Sequence, residues 1–278
     1  MMSDLHACFS AFQKMLDQIK FKDTDRMIIA GDIVDRGPEN LRMLRWLSER
    51  PKNIELIMGN HDYAFVQYCD LMVKSYEEIC DSEGDTEELS PQSPAAPKDS
   101  GSVDEAEIEM KRILTAYKYA KKLMWTFDYY GTIHELLVRN HLHPYDLTDL
   151  ADQLRDFPYV KKLDIKGKEF IVVHAGYVED PTRALNYGYA LPEEFYMSAR
   201  EEGLSIGGKE NATIIFGHTP TIVDSMAFYN HGKVFKYYDD RRNCTFYDID
   251  CGWVFHNRNV ESHLACIRLE DEKIFYLE

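Results

Sequence analysis

The chain has 278 residues, 45% apolar and 13% aromatic, enough to bury a sizeable core as one large domain or two small ones. Its formal net charge of −16 argues against a nucleic-acid backbone or an anionic membrane as partner. That charge is concentrated: Glu77 to Glu109 holds twelve acidic residues and one lysine, so the acidity says little about an active site.

Met1-Met2-Ser3 is a stub that reads as the end of a very short strand finishing at Asp4. Phe9, Phe12, Leu16 and Ile19 have helix spacing. Arg26 to Ala30 is an apolar strand running into Gly31-Asp32-Ile33-Val34-Asp35-Arg36-Gly37, with Pro38 suited to the first turn of a helix from Pro38 to Arg50. Asn53 to Met58 is a third strand, ending on Gly59-Asn60-His61-Asp62, and Tyr63 to about Tyr76 reads as a helix. The order βαβαβ, with a polar turn after each strand, places the chain in the α/β class. From Glu77 to about Val103 the sequence is acidic and contains Ser90-Pro91-Gln92-Ser93-Pro94-Ala95-Ala96-Pro97. Such a composition cannot bury enough apolar surface to offset its ordering entropy, so it reads as a disordered acidic insertion. Helical patterning returns from Glu105 to Phe127 and in shorter pieces to Arg155, a helical cap over about 105–157 within one domain of 1–278. Beyond it come a hairpin, Lys161–Ile165 and Glu169–Val173 about Lys166-Gly167, then strands at Ala212–Phe216, Thr245–Ile249, Leu264–Leu269 and Ile274–Leu277.

Chemistry-bearing residues collect just past the strands: Asp4 and His6, Asp32 with Asp35 and Arg36, Asn60 and His61, His174, and His218. In an α/β sheet such turns share the carboxyl edge, where ligands bind. A mixture of carboxylate, imidazole and amide oxygen is the donor set of a borderline divalent metal. The six cysteines form no C-x-x-C and show no zinc-finger spacing; they read as reduced, buried thiols. With no signal peptide, membrane-length apolar run or lipidation motif, the expected location is the cytoplasm, and the sequons at Asn211 and Asn243 read as accidental. His134-Glu135 does not continue to H-E-x-x-H, since Val138 holds the last position, and no P-loop, G-x-S-x-G or G-x-G-x-x-G occurs.

Ser3-Asp4-Leu5-His6, the stretch Gly31 to Gly37, Gly59-Asn60-His61-Asp62, His174-Ala175-Gly176 and Gly217-His218-Thr219 resemble the ordered motifs of PPP-type serine/threonine phosphoprotein phosphatases. These belong to the calcineurin-like metallophosphoesterases, and the likeness is closest to small bacterial and phage-like members. It covers the catalytic core at both ends, with Tyr247 to Gly252 similar to the late family segment, but not the insertion, and the cap only loosely. Ser3 and Ala7 depart from glycines of the pattern, which implies a slightly strained turn. Asp62 stands where these phosphatases usually carry Glu and dinucleoside-polyphosphate-cleaving relatives carry Asp. Those relatives usually lack the aspartate found here as Asp35.

The resemblance implies two packed mixed β-sheets flanked by helices, with two divalent ions at one edge. Asp4, His6 and Asp32 would hold one ion; Asp32, Asn60, His174 and His218 the other, with Asp32 bridging. A metal-bridging hydroxide would attack phosphorus. His61 would be the general acid, oriented by Asp35. Arg36, Asn60 and a second arginine would bind the substrate phosphate; Arg200 is favoured for that role over Arg183. Mn²⁺ is the expected metal, with Fe or Zn as alternatives. The expected activity is phosphomonoester hydrolysis, foremost of phosphoserine and phosphothreonine in proteins or of a phosphorylated small molecule. A dinucleoside polyphosphate or nucleotide hydrolase is the alternative, and a catalytically silent binding scaffold the rival of another class. Oligomeric state is not legible.

Overall fold

The computed structural model of the protein describes residues 1–87, 105–124, 131–258 and 260–277. Their contacts divide into two compact units, Met1–Tyr63 with Leu154–Glu278, and Ala64–Gln153.

In chain order, the first unit opens with α1 (Phe9–Gln18), β1 (Met27–Ala30), α2 (Asn40–Glu49) and β2 (Ile54–Ile57), and with the first turn of α3 (Asn60–Glu87). The second unit contains the rest of α3, then α4 (Glu105–Leu123), a short α5 (Thr132–His134) continued by a π-turn, and all but the last two residues of α6 (Asp146–Arg155). The first unit resumes with β3 (Val160–Ile165), β4 (Lys168–Val173), α7 (Thr182–Tyr187), α8 (Pro192–Ser198), α9 (Glu202–Ser205), β5 (Ala212–Phe216), β6 (Phe235–Asp239), β7 (Cys244–Asp248), β8 (Leu264–Arg268) and β9 (Lys273–Leu277).

A five-stranded sheet and a second layer made of two strand pairs linked by the N-terminal residues build the first unit. The sheet is mixed, in the order β3-β4-β5-β7-β6, with β4, β5 and β7 parallel and an antiparallel strand at each edge. In the second layer, β1 and β2 run parallel, Met2 pairs in parallel with Ile29, and Met1 exchanges backbone bonds with Ile267 of β8, which pairs with β9. The two-residue stub thus joins the β1–β2 pair to the β8–β9 hairpin. Ile28, Ala30, Ile57, Ala265 and Ile267 of this layer share one core with Phe170, Val172, Ile215, Tyr247 and Ile249 of the other. Because the central strands are parallel, each presents its carboxyl end on one edge of its sheet.

Local sequence explains the helices. α1 turns Phe9, Phe12 and Met15 inward, and α2 turns Met43, Leu44 and Leu47 inward, at helical spacing. Pro38 is not in the first turn of α2. The helix starts at Asn40, whose side chain is engaged by the preceding loop: it accepts the Asp35 N–H at 2.9 Å and donates to the Gly37 carbonyl at 3.1 Å. In the second unit α3 runs to Glu87, past the expected stop near Tyr76. The glutamates from Glu77 are good helix formers, and Tyr76 donates a hydrogen bond to Glu109 of α4. The remainder of the expected insertion, residues 88–103, lies outside the described residues, as does the end of the expected helix at Phe127. The edge strand β6 escaped sequence reading because Lys236, Tyr237 and Tyr238 are exposed and its ladder to β7 holds it in place. Among the described residues no helix is long and apolar enough to cross a membrane.

Candidate metal centre

Asp4 and His6 follow Met2, Asp32 follows β1, Asn60 and His61 follow β2, His174 follows β4 and His218 follows β5. All belong to the first unit, and the fold brings them together. The ligand atoms of His6, Asp32 and His61 lie within 4.8 Å of one another, as do those of Asp32, His174 and His218. Asp32 is the shared member. Asn60 joins the second group: its Oδ1 is 3.1 Å from His174 Nε2 and 2.9 Å from His218 Nδ1. Asp4 joins the first more loosely, Oδ1 lying 4.0 Å from His6 Nε2, while Asp32 Oδ2 is 3.6 Å from the same nitrogen.

Backbone geometry builds this convergence. Asp4, His6, Ala7, Asp32, Asp35, Arg36 and His218 all adopt positive φ, between 42° and 75°. Left-handed conformations cost non-glycine residues energy and cluster at functional sites. Ala7, at φ 52°, stands in a conformation that suits glycine; Ser3 does not. Close approach matters as much as torsion. A Cβ on Gly217 would lie 2.1 Å from Asp4 Oδ2 and 2.4 Å from Ser3 Oγ, so only glycine lets the His218 turn reach Asp4.

The donor orientations suit cations. His6 and His174 each place Nδ1 against a backbone carbonyl, Val34 at 3.0 Å and Ala30 at 2.8 Å, which turns Nε2 inward as a lone-pair donor. Asp4 is buried, and its Oδ1 has no hydrogen-bond partner, an orphan that a cation would satisfy.

Electrostatics point the same way. Burial works against charge on Asp32, but His174, His61 and His6 outweigh it and hold its carboxyl well below the usual range. Burial, with the Asp32 charge, pushes Asp4 up to about 6. Burial would lower His174, but Asp32 and Asp4 outweigh it and push it up to about 10. Burial lowers His6 to about 3 and puts His218 well below its ordinary value. Buried carboxylates packed this closely need positive charge, which His174 supplies in the metal-free protein.

Around this cluster sit the remaining expected site residues. His61 Nδ1 is 3.0 Å from Asp35 Oδ2. Arg36 places its guanidinium 3.2 Å from His6 Nε2. Arg200 donates to Thr219 Oγ1 at 3.1 Å, next to His218 in the chain, whereas Arg183 is exposed and donates to the Ile206 carbonyl. The centre is therefore nearer Arg200. Sequence reasoning set aside Asp62, which is fully buried and accepts N–H groups from the Asp32 turn. The capping-box spacing from Gly59 to Asp62 was the available signal. It also assigned nothing to Asp248 and Asp250, buried carboxyls pushed up by burial and by neighbouring carboxylates, Asp4 included.

The profile of the calcineurin-like phosphoesterases matches residues 1–255. The chain belongs to that family. Curated relatives match over shorter stretches. The symmetrical bis(5'-nucleosyl)-tetraphosphatase of Haemophilus ducreyi is 44% identical over 62 residues, 22% of this chain and 23% of the relative. That of Chromobacterium violaceum is 40% identical over 60 residues, 21% and 22% of the two chains. The match thus spans less than a quarter of these relatives. A crystal structure assigned as a diadenosine tetraphosphatase aligns over 99% of this chain and 90% of its own, at 16% identity and a TM-score of 0.51, which shows a shared fold. The expected superfamily and its fold of mixed sheets flanked by helices are found. The relatives are named for dinucleotide cleavage, not specifically as serine/threonine phosphatases.

Proposed function

We propose that this phosphoesterase is a metal-dependent hydrolase of dinucleoside polyphosphates of the diadenosine tetraphosphate type, splitting the tetraphosphate into two nucleoside diphosphates. The observation that carries the chemistry is the pair of ligand groups sharing Asp32. The names of the relatives turn the reading toward this substrate and away from the phosphoprotein. Asp4, His6 and Asp32 would hold one divalent ion, and Asp32, Asn60, His174 and His218 the second, with Mn²⁺ the expected metal and Fe or Zn alternatives. Such a pair supplies Lewis acidity and an activated water for in-line displacement at phosphorus.

The protein's own groups do the rest. Arg36 and Arg200 would draw the phosphate oxygens against the cluster, since guanidinium forks bind phosphate bidentately. Asn60 offers its side-chain amide beside them. The Asp35 carboxylate holds His61 by Nδ1, which leaves Nε2 to carry a proton to the departing oxygen. In this reading the chain acts as a single domain, with the helical unit inserted between β2 and β3 in sequence.

One observation favours a second reading, a serine/threonine phosphoprotein phosphatase: Asp35 stands against His61, and the motif's dinucleotide-cleaving members usually lack that aspartate. Measuring kcat/KM for diadenosine tetraphosphate and for a phosphothreonine peptide, at one Mn²⁺ concentration, separates them. The expected result is a ratio of ten or more for the dinucleotide, about 1.4 kcal/mol of transition-state preference. A tenfold preference for the peptide would reinstate the phosphatase. No metal-dependent turnover of either substrate or of p-nitrophenyl phosphate would leave a silent scaffold.

A further inference from the structure

Asp62 is fully buried next to the metal centre's turns. Two turns meet at its carboxylate. Oδ2 accepts the N–H of Asp32 at 2.8 Å and that of Gly59 at 3.1 Å. Oδ1 accepts the N–H of Ile33 at 2.9 Å and, more weakly, that of Val34 at 3.4 Å. The bonding is returned: Asp32 Oδ1 accepts the N–H of His61 at 2.9 Å. The turn after β1 and the first turn of α3 therefore exchange carboxylates, each gripping the other's backbone.

The bond to Gly59 is the back-reaching half of a capping box, and by itself it would make Asp62 a helix cap. The bonds to Asp32, Ile33 and Val34 serve no helix. They hold a backbone whose Asp32 has φ 54°, a conformation that persists only where its surroundings over-determine it. Four N–H groups converging on one carboxyl hold the turn by geometry, even though burial and the Asp32 charge push that carboxyl up to about 7.

We propose that Asp62 is a positioning residue for the shared carboxylate. By clasping the Asp32 turn to the turn that carries Asn60 and His61, it sets the point from which Asp32 serves both ions. The inference rests on the dinuclear reading above. Groups that hold a metal ligand in place typically change metal affinity 10–100-fold when removed.

The test compares wild type, Asp62→Asn and Asp62→Glu by Mn²⁺ binding at equilibrium, by the electron paramagnetic resonance signal of a coupled Mn²⁺ pair, and by thermal melting. Wild type is expected to bind two ions with a coupled signal. Asp62→Asn is expected to fold but to bind its weaker ion 10–100-fold less tightly and to lose the coupled signal. Asp62→Glu, with the charge kept and the reach lengthened by a methylene, should restore affinity to within about threefold and shift the coupled spectrum. An Asp62→Asn protein with wild-type affinity and spectrum, whatever its melting temperature, would show a helix cap only and overturn the proposal. If that variant does not fold, Asp62→Glu decides: an unshifted spectrum overturns the proposal equally. A wild type with one ion or no coupled signal removes the dinuclear reading itself, and the inference with it.

Discussion

Gly59→Ala tests the packing of the centre with the smallest possible change. A Cβ at position 59 would lie 2.2 Å from the Asp32 nitrogen and 2.3 Å from Asp32 Oδ1, where ordinary contact begins at 3.4 Å. The obstructing atoms are backbone and the shared carboxylate, not the free end of a flexible chain, so the Asp32 turn or the start of α3 must move by about 1 Å. Overpacking of this kind costs roughly 1–3 kcal/mol of stability. A displacement of about 1 Å at a reacting centre can cost about 10²-fold in rate. The assay is kcat/KM on p-nitrophenyl phosphate at saturating Mn²⁺, with metal content by mass spectrometry and a thermal melt. The expected outcome is a lower melting temperature, reduced metal content and a loss of about 10²-fold in rate. A variant with wild-type metal content and a rate within threefold of wild type would refute the claim that Asp32 must stand this close to the α3 turn.

Asp32→Asn should abolish hydrolysis and strip at least one ion, because an amide cannot carry the charge that serves both; two retained ions with a near-normal rate would sink the shared-ligand reading. His61→Asn should keep metal content but slow substrates with poor leaving groups far more than p-nitrophenyl phosphate, since general acid catalysis is worth roughly 10²–10⁴-fold; equal losses would rule His61 out as the acid. The Asp4 carboxyl stands at about 6 in the metal-free protein against an ordinary value of 3.8. A carboxyl raised in the folded state contributes stability that is full below its unfolded value and is lost as pH rises through its folded value. Metal-free protein should therefore lose melting temperature between about pH 4 and 6 from this group, and Mn²⁺ should restore more of it at pH 7 than at pH 5; melts with and without Mn²⁺ check the sign.

The sequence alone determined which residues end up at the edge. Apolar runs that stop at Gly31, Gly59, His174 and Gly217 name the strand ends, and the parallel βαβ order puts those ends on one side. The donor types then point to a candidate metal centre. What the sequence could not supply was decided by tertiary contact. The Met1-Met2 stub is a strand only because Ile29 and Ile267 flank it, and β6 is a strand only because β7 lies beside it. The resemblance favours Arg200 over Arg183 without placing either; the chain path through α8 brings one to Thr219 and the other to the Ile206 carbonyl. Asp62 reads as one more polar residue after His61. Its role comes from burial against the N–H groups of Asp32, Ile33 and Val34, some thirty positions earlier in the chain. Periodicity reports a residue's local geometry, whereas a buried carboxylate is defined by the partners that offset its desolvation, and those are gathered only when the chain folds.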